Sequence, residues 1–345
     1  MSEIGVHASL ASWGPTLTVA LAIGLALAID RRLGEPPLWA HPVVGMGRYL
    51  GRLGPALTRL PPGAAFLGGA LGWLFGALVV ASLALAADIV VHLLAAAVAQ
   101  SLSFAPRSFE ALGLVLKGLC LGVLLKPLLA WRMLREEVAA VEQALGESLD
   151  AGRLRLQRLV SRDVTRLDET AVRESAIESL AENLNDSVVA PLFWFAVAGL
   201  PGAALYRFAN TADAMWGYRN HYEWAGKWAA RADDVLSWLP ARLTALCLCL
   251  VAGRVPALRR MRQQAAITPS PNGGWPMGTM AWLLGVSLHK PGVYALNEGA
   301  QPPHAAHTAQ ALRWSGRAVG AAAGLAVLLC ALCSLVWTGG RAWFA

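Results

Sequence analysis

The chain has 345 residues and a net charge of +7, with 56% hydrophobic and only 15% charged residues. Its mean hydropathy of +0.48 and its apolar runs of about 20 residues exclude an ordinary soluble domain and indicate an integral membrane protein. The basic excess suits loops facing anionic lipid on the cytoplasmic side, and with no RNA-binding aromatic motif a nucleic-acid partner is not expected.

The N-terminus lacks a basic segment and a small-residue cleavage site before its apolar run, so it reads as a retained first span rather than a removed signal. That span, 13–29, ends at Asp30-Arg31-Arg32. The loop 30–62 carries Arg31, Arg32, Arg48, Arg52 and Arg59, which places it on the cytoplasmic side. A second span is expected at 66–87, with an interfacial continuation beyond Asp88 and His92. A third covers 109–130 and contains Lys117; Lys126-Pro127 marks its cytoplasmic end.

The segment 131–187 is polar. Val138, Val141 and Leu145 have helical spacing. Asp168 is suited to cap a helix over Glu169 to Leu184, with Ile177, Leu180, Ala181 and Leu184 as its apolar stripe. Glu174, Glu178, Glu182 and Asn185 share a ridge beside that stripe. The apolar run 188–206 is broken by Gly199, Pro201 and Gly202, and the run 240–252 is short for a span. Two broken or re-entrant helices lining a cavity are favoured, with a pair of true spans left open. Arg254, Arg259, Arg260 and Arg262 form a basic stretch. A turn-rich SPNGGWP then leads into a helix from about Met277. His289 to Arg317 reads as a polar loop, and 318–338 as the last span. The polar segments are 30–62, 131–187, 207–239 and 254–317. The expected fold is an all-α polytopic membrane protein, a single integral membrane domain over 1–345 with a polar site facing the cytoplasm. The five cysteines lie in or beside apolar runs without histidine partners, which argues against metal or disulfide roles.

Several separated motifs occur in one order: DRRLGEPPLWAHPVVGMGR (Asp30 to Arg48), RD (Arg162-Asp163), LDE (Leu167 to Glu169) and ESLAEN (Glu178 to Asn183). They continue as DSVVAP (Asp186 to Pro191), NTADAMWGYRN (Asn210 to Asn220), ARADDVLSWLPARL (Ala230 to Leu243) and SPNGGWPMGTMA (Ser270 to Ala281). On these motifs the chain resembles the adenosylcobinamide-phosphate synthases, the CobD/CbiB family of cobalamin biosynthesis. The resemblance implies ATP-dependent activation of a carboxylate of adenosylcobyric acid. The amine of aminopropanol phosphate, or of ethanolamine phosphate, would then form the amide. It implies ATP and Mg²⁺ as required species, a corrinoid as substrate, and membrane lipid as surroundings. Other late membrane enzymes of cobalamin biosynthesis are possible neighbours.

Such chemistry needs carboxylates for Mg²⁺ and donors for phosphoryl oxygens. Under the resemblance, Glu178, Glu182, Asn183, Asp186 and Asp213 are the expected catalytic residues, and Glu178, Glu182, Asp233 and Asp234 the metal candidates. ATP and substrate contacts are expected from Asp30, His41, Arg48, Arg162, Asp163, Asn210, Arg219, Asn220, Arg231, Arg242, Asn272, Gly273, Gly274 and Trp275. Each has a plainer reading. The acids can form a solvated helix face with pairs such as Glu169 to Arg173. Arg231 can pair with Asp234, and Arg242 can snorkel. Trp216 and Tyr218 can be interfacial aromatics. Asn272-Gly273-Gly274 allows unusual backbone angles before a helix N-terminus, which suits a phosphate loop or an ordinary turn. His304 and His307, three apart, lack further metal ligands. A membrane sensor on a related scaffold is the alternative to an enzyme. A transporter would require inverted repeats, and none is apparent.

Overall fold

The computed structural model describes residues 3–101, 106–218 and 220–342. The chain is an all-α polytopic membrane protein, with one short β-hairpin among the described residues. Among the described residues, five helical stretches are long and apolar enough to cross a membrane: Pro62–Ser101, Ala111–Glu147, Glu169–Trp216, Lys227–Ala252 and Ala305–Ser334. The span expected at 13–29 falls within α1 (Glu3–Leu33), which is not among those five. The chain divides into two compact units. The first comprises Met1–Leu129, Pro191–Ala230 and Ala323–Ala345; the second comprises Ala130–Ala190 and Arg231–Ala322.

In the first unit α1 packs on α4 (Pro106–Leu125). Lipid supplies no hydrophobic drive for helix pairing, so close backbone approach through small residues must do so. Gly118 and Gly122 are one turn apart on α4. A methyl group at Gly118 would stand 3.0 Å from the Thr18 carbonyl oxygen, and one at Gly122 2.8 Å from that of Ala22. α2 (Pro42–Leu57) packs on α3 (Pro62–Ser101), and the Tyr49 hydroxyl donates to the Gly72 carbonyl at 2.7 Å. α3 is one helix of 40 residues. It therefore runs on through Asp88 and His92, where an interfacial continuation was expected.

A buried charge cluster ties α1, α2 and the end of α4 together. A 3₁₀ turn, Lys126–Leu128, follows α4. The Lys126 ammonium lies 3.0 Å from Asp30 Oδ1 and 3.0 Å from Glu35 Oε1, and donates to the Leu129 carbonyl. Asp30 and Lys126 are fully buried. Lys126, just past the end of α4, is the cation of an internal cluster. His41 caps α2, its Nδ1 accepting from Val43 N. Nδ1 is therefore unprotonated, and the Nε2–H faces Glu35 Oε2 at 3.1 Å.

α8 (Ala190–Trp216) is interrupted where the sequence places its glycines and proline. Ala198 leaves helical geometry, and Gly199 has φ 63° and ψ −158°, a region that essentially only glycine occupies.

In the second unit α5 (Trp131–Glu147) buries Val138, Val141 and Leu145 as expected. α6 (Leu149–Leu156) follows, then α7 (Glu169–Leu184), whose N-cap is Asp168. α9 (Lys227–Ala252) has 26 residues. The run 240–252 is therefore the second half of a full-length helix, because helical geometry begins in the polar stretch before it and passes through Pro240. α10 (Leu258–Ala265) and α11 (Gly274–Leu284) come next. The expected polar loop after His289 is instead the hairpin β1 (Leu288–Lys290) and β2 (Tyr294–Leu296), followed by α12 (Ala305–Ala342). His304 and His307 serve that helix start, the His307 ring accepting from His304 N.

Replacing Lys126 by Met strands two acids in the interior. Breaking a buried pair in this way costs about 3–5 kcal/mol. Lys126→Met should lower the thermal midpoint in detergent by many degrees, while Arg59→Gln, at an exposed position, should leave it unchanged. Glu35 supplies a pH test. Burial works to raise its pKa, but the His41 hydrogen bond and the Lys126 charge outweigh burial and hold it below the ordinary value of 4.5. Its stabilisation is present above pH 4.5 and fades as pH falls through the lower folded value. Glu35→Gln should flatten that part of the acid limb in a stability-versus-pH series.

Candidate functional site

The second unit gathers the largest share of the candidate residues around α7. The Asp168 carboxylate accepts from Ala171 N at 2.8 Å, which fixes where the helix begins. The apolar stripe Ile177, Leu180, Ala181 and Leu184 is fully buried. The acidic ridge does not behave as one surface. Glu174 and Glu178 are buried, and Glu182 is exposed. Glu174 meets His289 Nδ1 of β1 at 2.8 Å, and Glu178 meets Arg162 Nη2 at 2.9 Å. At the helix start Arg173 bridges Glu169 at 2.7 Å and Glu142 of α5 at 2.9 Å, so the plainer reading holds for the Glu169 pair.

The ridge ends in a π turn, Asn185–Val189. Asn185 is buried there; its Nδ2 donates to Asp186 Oδ1 at 2.7 Å, and its Oδ1 accepts from Thr244 of α9 at 3.1 Å. Asn183 donates to Ser179 O within the helix.

The loop before α11 is tied to α9. Asn272 Nδ2 donates to the Asp234 carbonyl at 2.7 Å, and its Oδ1 accepts from Arg242 at 3.2 Å. The Arg242 guanidinium also bonds the Trp238 carbonyl. It lies 4.2 Å from the Trp238 ring centre and 4.6 Å from that of Trp275. Ser270 faces Asp234 Oδ1 at 3.4 Å, and Ser237 faces Asp233 Oδ2 at 3.5 Å. Glu182 reaches this loop: a methyl group at Gly273 would lie 3.2 Å from Glu182 Oε1. Arg231 is exposed on α9.

The glycines serve close approach rather than unusual angles. Gly273 has φ −56° and ψ −34°, which any residue adopts. A methyl at Gly274 would meet Thr268 Oγ1 at 2.6 Å. The N–H groups of Asn272 and Gly273 point to Ser270 Oγ, and that of Trp275 to the Asn272 carbonyl. The loop's own hydrogen bonds thus occupy much of the backbone expected to cradle a phosphate. The Arg242 guanidinium is the cation beside it.

Tyr294 of β2 gave no signal in the sequence. It stands beside Glu178 and Glu182, and burial together with those two charges pushes its phenol far above the ordinary tyrosine range. Its hydroxyl therefore keeps its proton at neutral pH. His289 and Lys126 were also missed as partners. Lys126 had a detectable signal, a lysine directly after an apolar run, whereas the His289 pairing spans 115 residues.

Other candidates are engaged locally. Asp163 is exposed and accepts from the N–H and hydroxyl of Thr165, bonds that hold its carboxyl below the ordinary value. In the first unit, Asn210 accepts from Arg207 at 3.4 Å, and Asn220 accepts from Tyr222 N in a turn. The Asp213 carbonyl accepts from Gly217 N at 2.7 Å. Trp216 is buried, with close packing at Gly226, whereas Tyr218 is exposed. Asp30 and His41 belong to the Lys126 cluster. Arg48 is exposed on α2. Arg219 lies outside the described residues.

Among the described residues no three His, Cys, Asp or Glu side chains are grouped to hold a metal ion. The donor set does not form a closed protein cage. It does fit an ion carried by substrate phosphates, which needs only one or two carboxylates. Glu182, exposed at the Gly273 loop, would be the acid to hold such an ion.

A model described as CobD/Cbib protein matches residues 23–332. The chain is 41% identical over 278 residues to Cobalamin biosynthesis protein CobD of Chromobacterium violaceum, covering 78% of this chain and 81% of that protein. It is 42% identical to the Probable cobalamin biosynthesis protein CobD of Thermococcus kodakarensis, covering 78% and 82%. It is 39% identical to Cobalamin biosynthesis protein CobD of Stutzerimonas stutzeri, covering 87% and 95%. No solved structure matches. The motifs from Asp30 to Ala281 all fall within the matched segment, and the chain belongs to the CobD/Cbib family of cobalamin biosynthesis.

Proposed function

We propose that this protein is an ATP-dependent acid–amine ligase that makes the amide of adenosylcobinamide phosphate. The observation that supports this most is the convergence of Glu182, Arg242 and the Ser270–Trp275 loop within one unit. In this reading a carboxylate of adenosylcobyric acid attacks the terminal phosphorus of ATP and ADP leaves. The amine of the aminoalkyl phosphate then adds to the acyl carbon, loses a proton, and expels phosphate. Mg²⁺ arriving with ATP would offset the negative charge of its phosphates.

The chain's own residues supply position and charge. Arg242 is pinned between two tryptophans and Asn272, so little side-chain freedom remains to be lost when a phosphoryl group binds. Glu182 accepts either the metal that accompanies ATP or the proton released by the amine. Tyr294 remains a hydrogen-bond donor beside both glutamates. Glu178 is committed to Arg162, so its part is to hold that arginine in place. The active site is placed on the cytoplasmic side of the inner membrane, where ATP is available.

The direct test is amide formation, followed by mass, by purified protein given adenosylcobyric acid, aminopropanol phosphate and Mg-ATP. No product from folded protein would reject the reading. Glu182→Gln should lower kcat by about 10²–10⁴-fold, the usual range for a proton-transfer group. Equal rates would remove Glu182 from the chemistry. Arg242→Ala should raise KM for a phosphorylated substrate about tenfold or more, since hydrogen bonds to charged groups contribute about 1.5–3 kcal/mol. Substituting ethanolamine phosphate in the same assay identifies the preferred amine.

A further inference from the structure

Arg48 and Arg52 stand one turn apart on α2, and both are exposed. Among the described residues neither is paired with a carboxylate. An open groove of about 530 Å³ lies between them on α2, lined also by Gly45, Tyr49 and Leu53. Gly45 and Tyr49 also line a second cavity, of about 570 Å³. That chamber is apolar, walled by Met46, Phe75, Val79, Leu83, Leu200 and Phe208.

Gly76 and Phe208 close one side of the chamber, since a methyl group at Gly76 would stand 2.4 Å from the Phe208 ring. One wall belongs to the uncovered face of α3, where Phe75 is 60% and Leu83 67% exposed. α3 is one of the membrane-crossing helices, so that face meets acyl chains. A cationic groove on α2 and an apolar chamber therefore adjoin at Gly45 and Tyr49 and lie beside a lipid-facing helix. Basic pockets between membrane helices take anionic head groups. A soluble phosphate ester would use the arginines and leave the chamber without a purpose.

We propose that α2, α3 and α8 form a binding site for one anionic phospholipid. Its phosphate lies between Arg48 and Arg52, and an acyl chain fills the apolar chamber. The resemblance implies a substrate contact for Arg48; this proposal gives it a lipid phosphate instead.

The test uses full-length protein, stripped of lipid and returned to nanodiscs of phosphatidylcholine with and without phosphatidylglycerol. Native mass spectrometry then counts retained lipid. Wild type should keep one phosphatidylglycerol, preferred at least tenfold over phosphatidylcholine. The Arg48→Gln, Arg52→Gln double variant should lose that preference. Val80→Trp, which fills the chamber, should lose retention, with folding checked by thermal unfolding. A measurement free of variants covers failure to fold: long-chain phosphatidylglycerol should outcompete the dihexanoyl form at least tenfold on wild type. Equal retention of both head groups, equal binding of both chain lengths, or displacement by equimolar glycerol phosphate would each overturn the proposal.

Discussion

The buried acids of α7 each need a hydrogen-bonding partner, and that requirement organises the second unit. A carboxylate taken out of water is destabilising unless paired and hydrogen-bonded. Glu174 finds His289 on the hairpin, and Glu178 finds Arg162 in the segment ahead of the helix. Arg173 links Glu169 to Glu142, and Glu142 also accepts from Thr308 of α12. The pairs tie α7 to the loop just ahead of it, to α5 and to the distant hairpin. They act as registry pins: each buried acid meets its partner at bonding distance, and sliding the helix by a turn would separate them. Glu182 is the exposed member of the ridge. The division is physical. Glu174 and Glu178 are enclosed by the fold, whereas Glu182 lies at the surface beside the Gly273 loop.

This division explains how much could be read from the chain alone. Local signals were sufficient for α7. Asp168, Glu169 and the stripe ending at Leu184 set both its ends to the residue. The Gly199 break was equally local, because a backbone region closed to other residues leaves a mark in composition. What the sequence could not display was partnership. Spacing put Glu174, Glu178 and Glu182 on one ridge, which pointed to one shared site. Only the packing of hairpin and loop separates them into buried and exposed acids. Lys126 was read only as the end of an apolar run, because its partners Asp30 and Glu35 lie about 90 residues earlier in the chain. The run 240–252 looked short because polar residues line the start of α9, and hydropathy does not count those as helix.

The first unit rests on a different constraint. Its apolar helices carry few side chains that distinguish one neighbour from another. Gly118 and Gly122 permit the α1 backbone to approach α4, and glycines at 68, 72 and 76 line the side of α3 that meets α2 and its surroundings. Absence of a side chain is the specific feature. Hydropathy reads such a segment as a span but does not say which face is smooth. The Lys126 cluster adds a polar counterpart to these contacts, since one ammonium satisfies acids from α1 and from the loop before α2.

The π turn at Asn185–Val189 decides how the acidic ridge ends. A regular α-helix would put Asp186 one turn beyond Glu182, continuing the series of carboxylates. A π turn accommodates an extra residue, so the ridge leaves its track at that point. Asn185 becomes the buried position and bonds Thr244 of α9, while Asp186 accepts from Asn185. The helix uses its last polar positions to join α9. That junction brings α9 beside the end of α7, and α9 carries Asp234, Trp238 and Arg242 toward the Asn272 loop. Stacking between two indoles and a bond to Asn272 leave the guanidinium little to reorganise, which a flexible lysine at this position could not reproduce. The departure from regular helix is thus what sets an exposed carboxylate and a fixed cation on the same short loop.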